Sequence, residues 1–224
     1  MELIIDDISY KIPERLTVQQ WCQLGQWNLE DRDTWPHLLG TLTGAPINKL
    51  VMAPESALEL GATLCATLMQ ERREVQLPDW GKIRFGEWVD VETYLSLGIQ
   101  NRLGEILKVW SLETEWSDEG LYVVEHYLRW REGIYKMYKN LFGLDEEREE
   151  EEETKRPDPQ RIQRQWYRII VDQLAGNDIL KLDGVVEQGL IKTLNFLSLQ
   201  KQMKLEEQEQ LQQQKRHYDL QRTR

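Results

Sequence analysis

The sequence predicts a mainly α protein: a small N-terminal β-hairpin, a helical body, an acidic linker, and a C-terminal helical hairpin with a polar tail. Three observations carry this. Apolar residues recur at helical spacing over much of the chain, as in Leu121, Val124, Tyr127, Leu128, Ile134, Tyr135, Tyr138 and Leu141. Alternation of the kind that marks a half-buried strand stands at the start, in Ile8, Tyr10 and Ile12. One run of charge, DEEREEEEE over Asp145–Glu153, holds eight acids and one arginine, a net −7 within a total of −11. Such a block repels itself and has no apolar surface to bury.

The elements follow in order. Leu3, Ile4 and Ile5 form the first strand, Asp6-Asp7 the turn, and Pro13 ends the second strand. Thr17 offers an N-cap hydroxyl, with Gln20 three residues on to complete a capping box, so a helix opens there and buries Val18, Trp21, Cys22, Leu24 and Trp27. Residues 33–43 make a short helix with Pro36 in its first turn. Ser56 caps a longer helix reaching Arg72, with Leu60, Leu64 and Leu68 along one face. Residues 74–85 read as extended or turn, and 90–110 as helix broken near Gly98. A long helix spans Asp118 to Leu141, and Gly143 stops it.

Beyond the acidic run, TKRPDPQ discourages helix, because proline lacks the N–H and restricts the residue before it. This divides the chain into 1–143, a linker over 144–158, and 159–224. In the last part a helix over 160–175 presents Ile162, Trp166, Ile169, Ile170 and Leu174, and Gly176-Asn177 ends it. Asp183 caps a final helix with Val186, Leu190, Leu194 and Leu197 at helical spacing, expected to bury against the preceding one. From Gln200 the apolar residues thin, which predicts a polar helix that projects or orders on a partner.

The chain has 224 residues, enough for one large domain or two small ones. Its acidity repels nucleic acid and anionic lipid, and no apolar run has the length of a membrane span. The first residues place acids where a secretory signal needs bases, so none is expected. Cys22 and Cys65 lack a paired motif and read as small buried residues in a reducing compartment. His37, His126 and His217 are not at metal-ligand spacing, and phosphate-loop, dinucleotide and nucleophile-elbow motifs are missing. We therefore expect no enzyme, no catalytic residue, no metal and no cofactor.

Tryptophan is the compositional signal, with nine residues. Each supplies a large apolar surface and one N–H, which suits small irregular cores and protein interfaces alike. Candidate partner-contacting residues are Trp88, Tyr94, Trp130 and Trp166, with Leu190 and Leu194 from the last helix face.

Three stretches carry a resemblance. They are FGEWVDVETYLSLG at 85–98, YLRWREGIYKMYKNLFGL at 127–144, and WYRIIVDQLAGNDILKLDGVVEQGLIKTLNFLSLQK at 166–201. Together they cover about a third of the chain, and the pattern resembles small proteins of tailed bacteriophages, namely tail-assembly chaperone-like or baseplate-associated morphogenesis proteins. The resemblance implies a non-enzymatic factor in the host cytoplasm that binds other phage structural proteins. A component retained in the virion, such as a connector or baseplate subunit, and a cellular protein-interaction adaptor are the alternatives. Nucleic acid and membrane are not expected partners, and the oligomeric state is open.

Overall fold

The computed structural model describes residues 2–5, 8–142, 166 and 168–222, with the side chains of Ile5 and of 217–222 outside that description. The protein is mainly α-helical and carries an N-terminal antiparallel hairpin, as its patterning predicts. It forms two compact units, Met1–Pro78 with Val89–Leu128, and Asp79–Trp88 with Arg129–Arg224. Two of these boundaries, after Trp88 and after Leu128, fall inside helices, and neither coincides with a division at 143 and 159. The acidic stretch over 144–158 lies outside the described residues, as do the turn at Asp6-Asp7, Gly143 and Ile162.

In the first unit, β1 (Glu2–Ile5) and β2 (Ile8–Lys11) pair with Leu3 opposite Tyr10 and Ile5 opposite Ile8. Period-two geometry sends Leu3 and Tyr10 to one face. There they pack on a buried cluster of Leu39, Ala45 and Leu50, while Ile4 and Ile8 stay exposed. Helix α1 (Val18–Leu24) opens with the full capping box, since the Thr17 side chain accepts from Gln20 N–H and the Gln20 side chain accepts from Thr17 N–H. Trp21 and Leu24 are buried beneath it, and Trp21 Nε1 donates to Met69 O at 3.2 Å. Trp27 is 37% exposed, because it lies past the end of α1 and stacks on His37 with ring centroids 4.4 Å apart.

Helix α2 (Trp35–Thr43) carries Pro36 in its first turn, and α3 (Ile47–Leu50) follows. Helix α4 (Glu55–Gln70) packs on α2, but through a different face from the leucine row. Its buried residues are Gly61, Ala62 and Cys65, whereas Leu60 is 58% exposed. The reason is close approach: a Cβ at position 61 would stand 2.3 Å from Leu39 Cδ2. The small residues let the two helices touch, and a leucine row would hold them apart. Ser56 sits inside the first turn, and the helix starts after Pro54 without a side-chain cap.

Helix α5 (Phe85–Ser96) begins five residues before the expected start at Asp90, and Gly98, with φ +95°, separates it from α6 (Ile99–Val109). Helix α7 (Ser117–Met137) and α8 (Lys139–Phe142) make up the expected long helix with a break at Tyr138. In the C-terminal part, Trp166 precedes a wide π-helical turn, Ile169–Leu174. A 3-10 turn, Ile179–Lys181, capped by the Asp178 side chain, leads into α9 (Leu182–Val186). Helix α10 (Leu190–Arg222) is last, and Gln200 onward continues it with residues 201–216 exposed.

One junction is built twice. In the first unit Val18 N–H donates to Glu115 O and Ser117 N–H to Leu16 O, each at 2.9 Å, which ties the start of α1 to the start of α7. In the second, Phe85 N–H donates to Gln188 O at 2.7 Å and Leu190 N–H to Ile83 O at 2.9 Å, which ties the start of α5 to the start of α10. Leu16 and Ile83 are buried at equivalent places, and so are Trp21 and Trp88. Thr17 and Gln20 cap the first. In the second, the Glu87 carboxylate accepts from Arg84 N–H at 2.9 Å. This pairing explains why Asp183 and Val186 do not belong to the last helix. Residues 188–190 are drawn out to meet 83–85, so the helix restarts at Leu190.

Candidate functional site

The site is assembled within the second unit from the segment Phe85-Gly86-Glu87-Trp88. Each residue has a distinct task. Gly86 admits α9, since a Cβ there would stand 2.9 Å from Val186 Cβ. Glu87 holds Arg84 at 2.5 Å, and Arg84 reaches Glu187 at 2.7 Å. Phe85 and Trp88 are fully buried and face an aromatic cluster. Trp166 meets Trp88 edge to face with centroids 4.7 Å apart, Phe142 lies 6.0 Å from Trp88, and Tyr135 lies 4.5 Å from Phe142.

Phe142 and Trp166 leave this cluster to line a cavity of about 500 Å³ with Ile169, Leu194 and Leu197. A cleft of this size, apolar on its walls with a few polar groups at its mouth, suits a ligand or a partner's side chains. The polar groups are Gln173, Gln200, Lys201 and Lys204. Residues 194, 197, 201 and 204 share one side of α10, so one helix face supplies both the apolar wall and the cationic rim. Lys201 Nζ donates to Asn140 O, and Asn140 donates to Ser198 Oγ at 2.8 Å. Tyr138 OH donates to Asn195 Oδ1 at 2.8 Å. These bonds fasten α8 to α10 and fix the cavity mouth. Burial pushes the Tyr138 phenol up, so it stays a donor at neutral pH.

The sequence candidates divide. Trp88 and Leu190 are buried behind the site, and Trp166 and Leu194 stand in the cavity wall. Trp130 lies in the same unit against Trp80, with centroids 6.2 Å apart. Tyr94 belongs to the first unit and is half-buried. Sequence reasoning missed Phe142, Lys201 and Lys204, and it places Leu197 on the Leu190 and Leu194 face without naming it among the contacting residues. The signal was present: the spacing of Leu190, Leu194 and Leu197 continues unbroken into Lys201 and Lys204.

Other chemistry-bearing groups are quiet. Cys65 is buried and its thiol is pushed up to about 12 by desolvation. Cys22 is half-buried, and desolvation raises it too. A thiol raised this way is a poor nucleophile. Among the described residues no group of three or more His, Cys, Asp and Glu side chains gathers as a metal site, and no helix is long and apolar enough to cross a membrane. His37 and His126 are half-buried against Trp27 and Tyr122. Comparison of the chain with models of known protein families, with curated proteins and with solved structures gives no match.

Proposed function

We propose that this chain is a non-enzymatic assembly factor that binds other structural proteins of a phage tail. The observation that carries the reading is the cavity walled by Phe142, Trp166, Leu194 and Leu197 and rimmed by Lys201 and Lys204. Its walls offer apolar surface of the kind that an unassembled subunit leaves exposed, and covering such surface suppresses aggregation until assembly displaces it. The lysines favour a bound segment with carboxylates beside its apolar residues. The resemblance of 85–98, 127–144 and 166–201 to phage morphogenesis proteins supports the same reading, since those stretches contain Phe142, Trp166, Leu194, Leu197 and Lys201. The place of action is then the host cytoplasm.

The test is recovery of the tagged chain from infected host cells, with the bound chain identified by mass spectrometry. A phage structural protein bound to the wild type, and lost from Gln173→Trp, supports the proposal. Gln173 is exposed at the mouth, so an indole there obstructs the cavity without disturbing the core. Absence from purified particles marks an assembly factor, and stoichiometric presence marks a retained virion component. A host protein as the bound chain would replace the phage reading with a cellular adaptor.

A further inference from the structure

Helix α10 presents a second surface, separate from its cavity face. Phe196, Leu199 and Met203 are 48%, 56% and 60% exposed and recur at three- and four-residue spacing, so they form one apolar stripe. The stripe has charged ends of opposite sign. Lys192 lies one turn before Phe196, and Glu206 and Glu207 lie one turn after Met203. All three are exposed, and Glu206 and Glu207 make no ion pair among the described residues. Among the described residues, Lys192 makes only an exposed bond to Gln188 of its own chain, at 2.9 Å. From Lys192 to Glu206 the helix rises about 21 Å. The spacing of 4, 3, 4 and 3 from Lys192 to Glu206 is that of a helix seam which packs against another helix.

We propose that this stripe pairs with the same stripe of a second copy of the chain, in antiparallel order. The charges select the occupant and the direction. Antiparallel pairing sets Lys192 of each copy against Glu206 and Glu207 of the other, so one contact is made twice about a twofold axis near Leu199. Parallel pairing sets Lys192 against Lys192 and the glutamates against the glutamates. The apolar residues supply the attraction, and the charges fix the register. Lys201 and Lys204 stay on the cavity side, so pairing leaves the cavity open. Three apolar side chains per copy make a small interface, and the dissociation constant is expected to be on the order of micromolar.

The test is sedimentation velocity of the full chain over a concentration series from about 1 to about 200 µM. The wild type is expected to move from monomer to dimer. Phe196→Glu is expected to weaken association more than tenfold with unchanged helix content. Lys192→Glu is expected to weaken it as well, and Lys192→Glu with Glu206→Lys and Glu207→Lys in one chain is expected to restore it. A wild type that stays monomeric throughout overturns the proposal, as does a dimer indifferent to Phe196→Glu. A dimer that Lys192→Glu leaves unchanged overturns the antiparallel order, because parallel copies would exchange one like-charge contact for another. Should Phe196→Glu misfold, the charge reversal and its rescue decide alone.

Discussion

The indole rings of Trp88 and Trp166 meet edge to face, 4.7 Å between centroids and 80° between planes. This arrangement sets the positive edge of one ring against the negative face of the other. Trp88 is fully buried, and its Nε1 has no acceptor among the described residues. At the equivalent place in the first unit, Trp21 Nε1 does have one, in Met69 O. Trp88 therefore contributes packing and pays a cost for its N–H.

That packing sets the first prediction. Trp88→Ala should destabilise the protein by about 3–5 kcal/mol, the usual loss for a large aromatic truncated in a core. Trp88→Phe should cost clearly less, since both variants delete the unpartnered donor but only phenylalanine keeps a ring against Trp166. Urea unfolding followed by circular dichroism compares the two variants. Equal losses would show that a ring at position 88 gains nothing from its contact with Trp166.

The twin junctions make a second prediction. Thr17→Ala removes the cap of α1 and should cost about 1 kcal/mol. Gln20→Ala removes the bond that Thr17 N–H donates to the Gln20 side chain, and Glu87→Ala removes the corresponding bond from Arg84 N–H; these two losses should be similar, although the residue types differ. Thermal unfolding of these variants checks this, and a neutral Glu87→Ala beside a costly Gln20→Ala would mean that the two junctions are not energetically alike.

The contrast between these junctions shows what was legible in the sequence. Thr17 and Gln20 announce a helix start because the capping box is local, made within four residues. Arg84 and Glu87 keep only half of that box, because the Glu87 carboxylate accepts from Arg84 N–H while the arginine side chain offers no acceptor in return, and the sequence therefore predicts a later start for α5. The pairing of 83–85 with 188–190 is invisible locally, since it joins residues far apart in the chain. It is also what interrupts the helix expected to continue from Asp183. The leucine row of α4 misled for another reason. Periodicity reports that one face is apolar, but Gly61, Ala62 and Cys65 form a rival face whose advantage is closeness rather than size. In the site, Leu194 was read from its spacing, whereas Lys201 was assigned to a polar tail because the apolar count falls there, though the helix face does not change.

The close contact of α4 with α2 supplies a third prediction. Gly61→Ala raises helix propensity and would stabilise an exposed helix by up to about 1 kcal/mol. Here the new methyl would meet Leu39, which is only 1% exposed and has no room to retreat. Overpacking should win, with a net loss of about 1–3 kcal/mol. Gly133→Ala in α7 is the control, because a Cβ there meets nothing within 4 Å. It should be neutral or stabilising in the same thermal unfolding experiment.

The fourth prediction concerns pH. Arg15 binds Asp118 and Glu119, each at 2.6 Å, and its guanidinium lies 4.7 Å from the centre of the Trp116 ring. Burial alone would push the Asp118 carboxyl up, but the hydrogen bonds from Arg15 and from Glu119 N–H, with the charges of Arg15 and Arg73, hold it below its ordinary value. Glu119 is also held down, first by the Thr114 hydroxyl and then by Arg15. A carboxylate whose folded value is depressed adds stability that is present above its unfolded value and is lost as pH falls through the folded one. The protein should therefore weaken from about pH 5 downward. Arg15→Ala leaves buried Asp118 with only the looser, exposed Arg73 at 3.8 Å, which should cost roughly 3 kcal/mol at pH 7. The same variant should lose much less at pH 3, where Asp118 begins to bind a proton in the variant and no longer requires a partner. Urea unfolding of the wild type and Arg15→Ala at both pH values checks the sign. A loss of equal size at pH 7 and pH 3 would assign the contribution of Arg15 to its contact with Trp116 rather than to the two carboxylates.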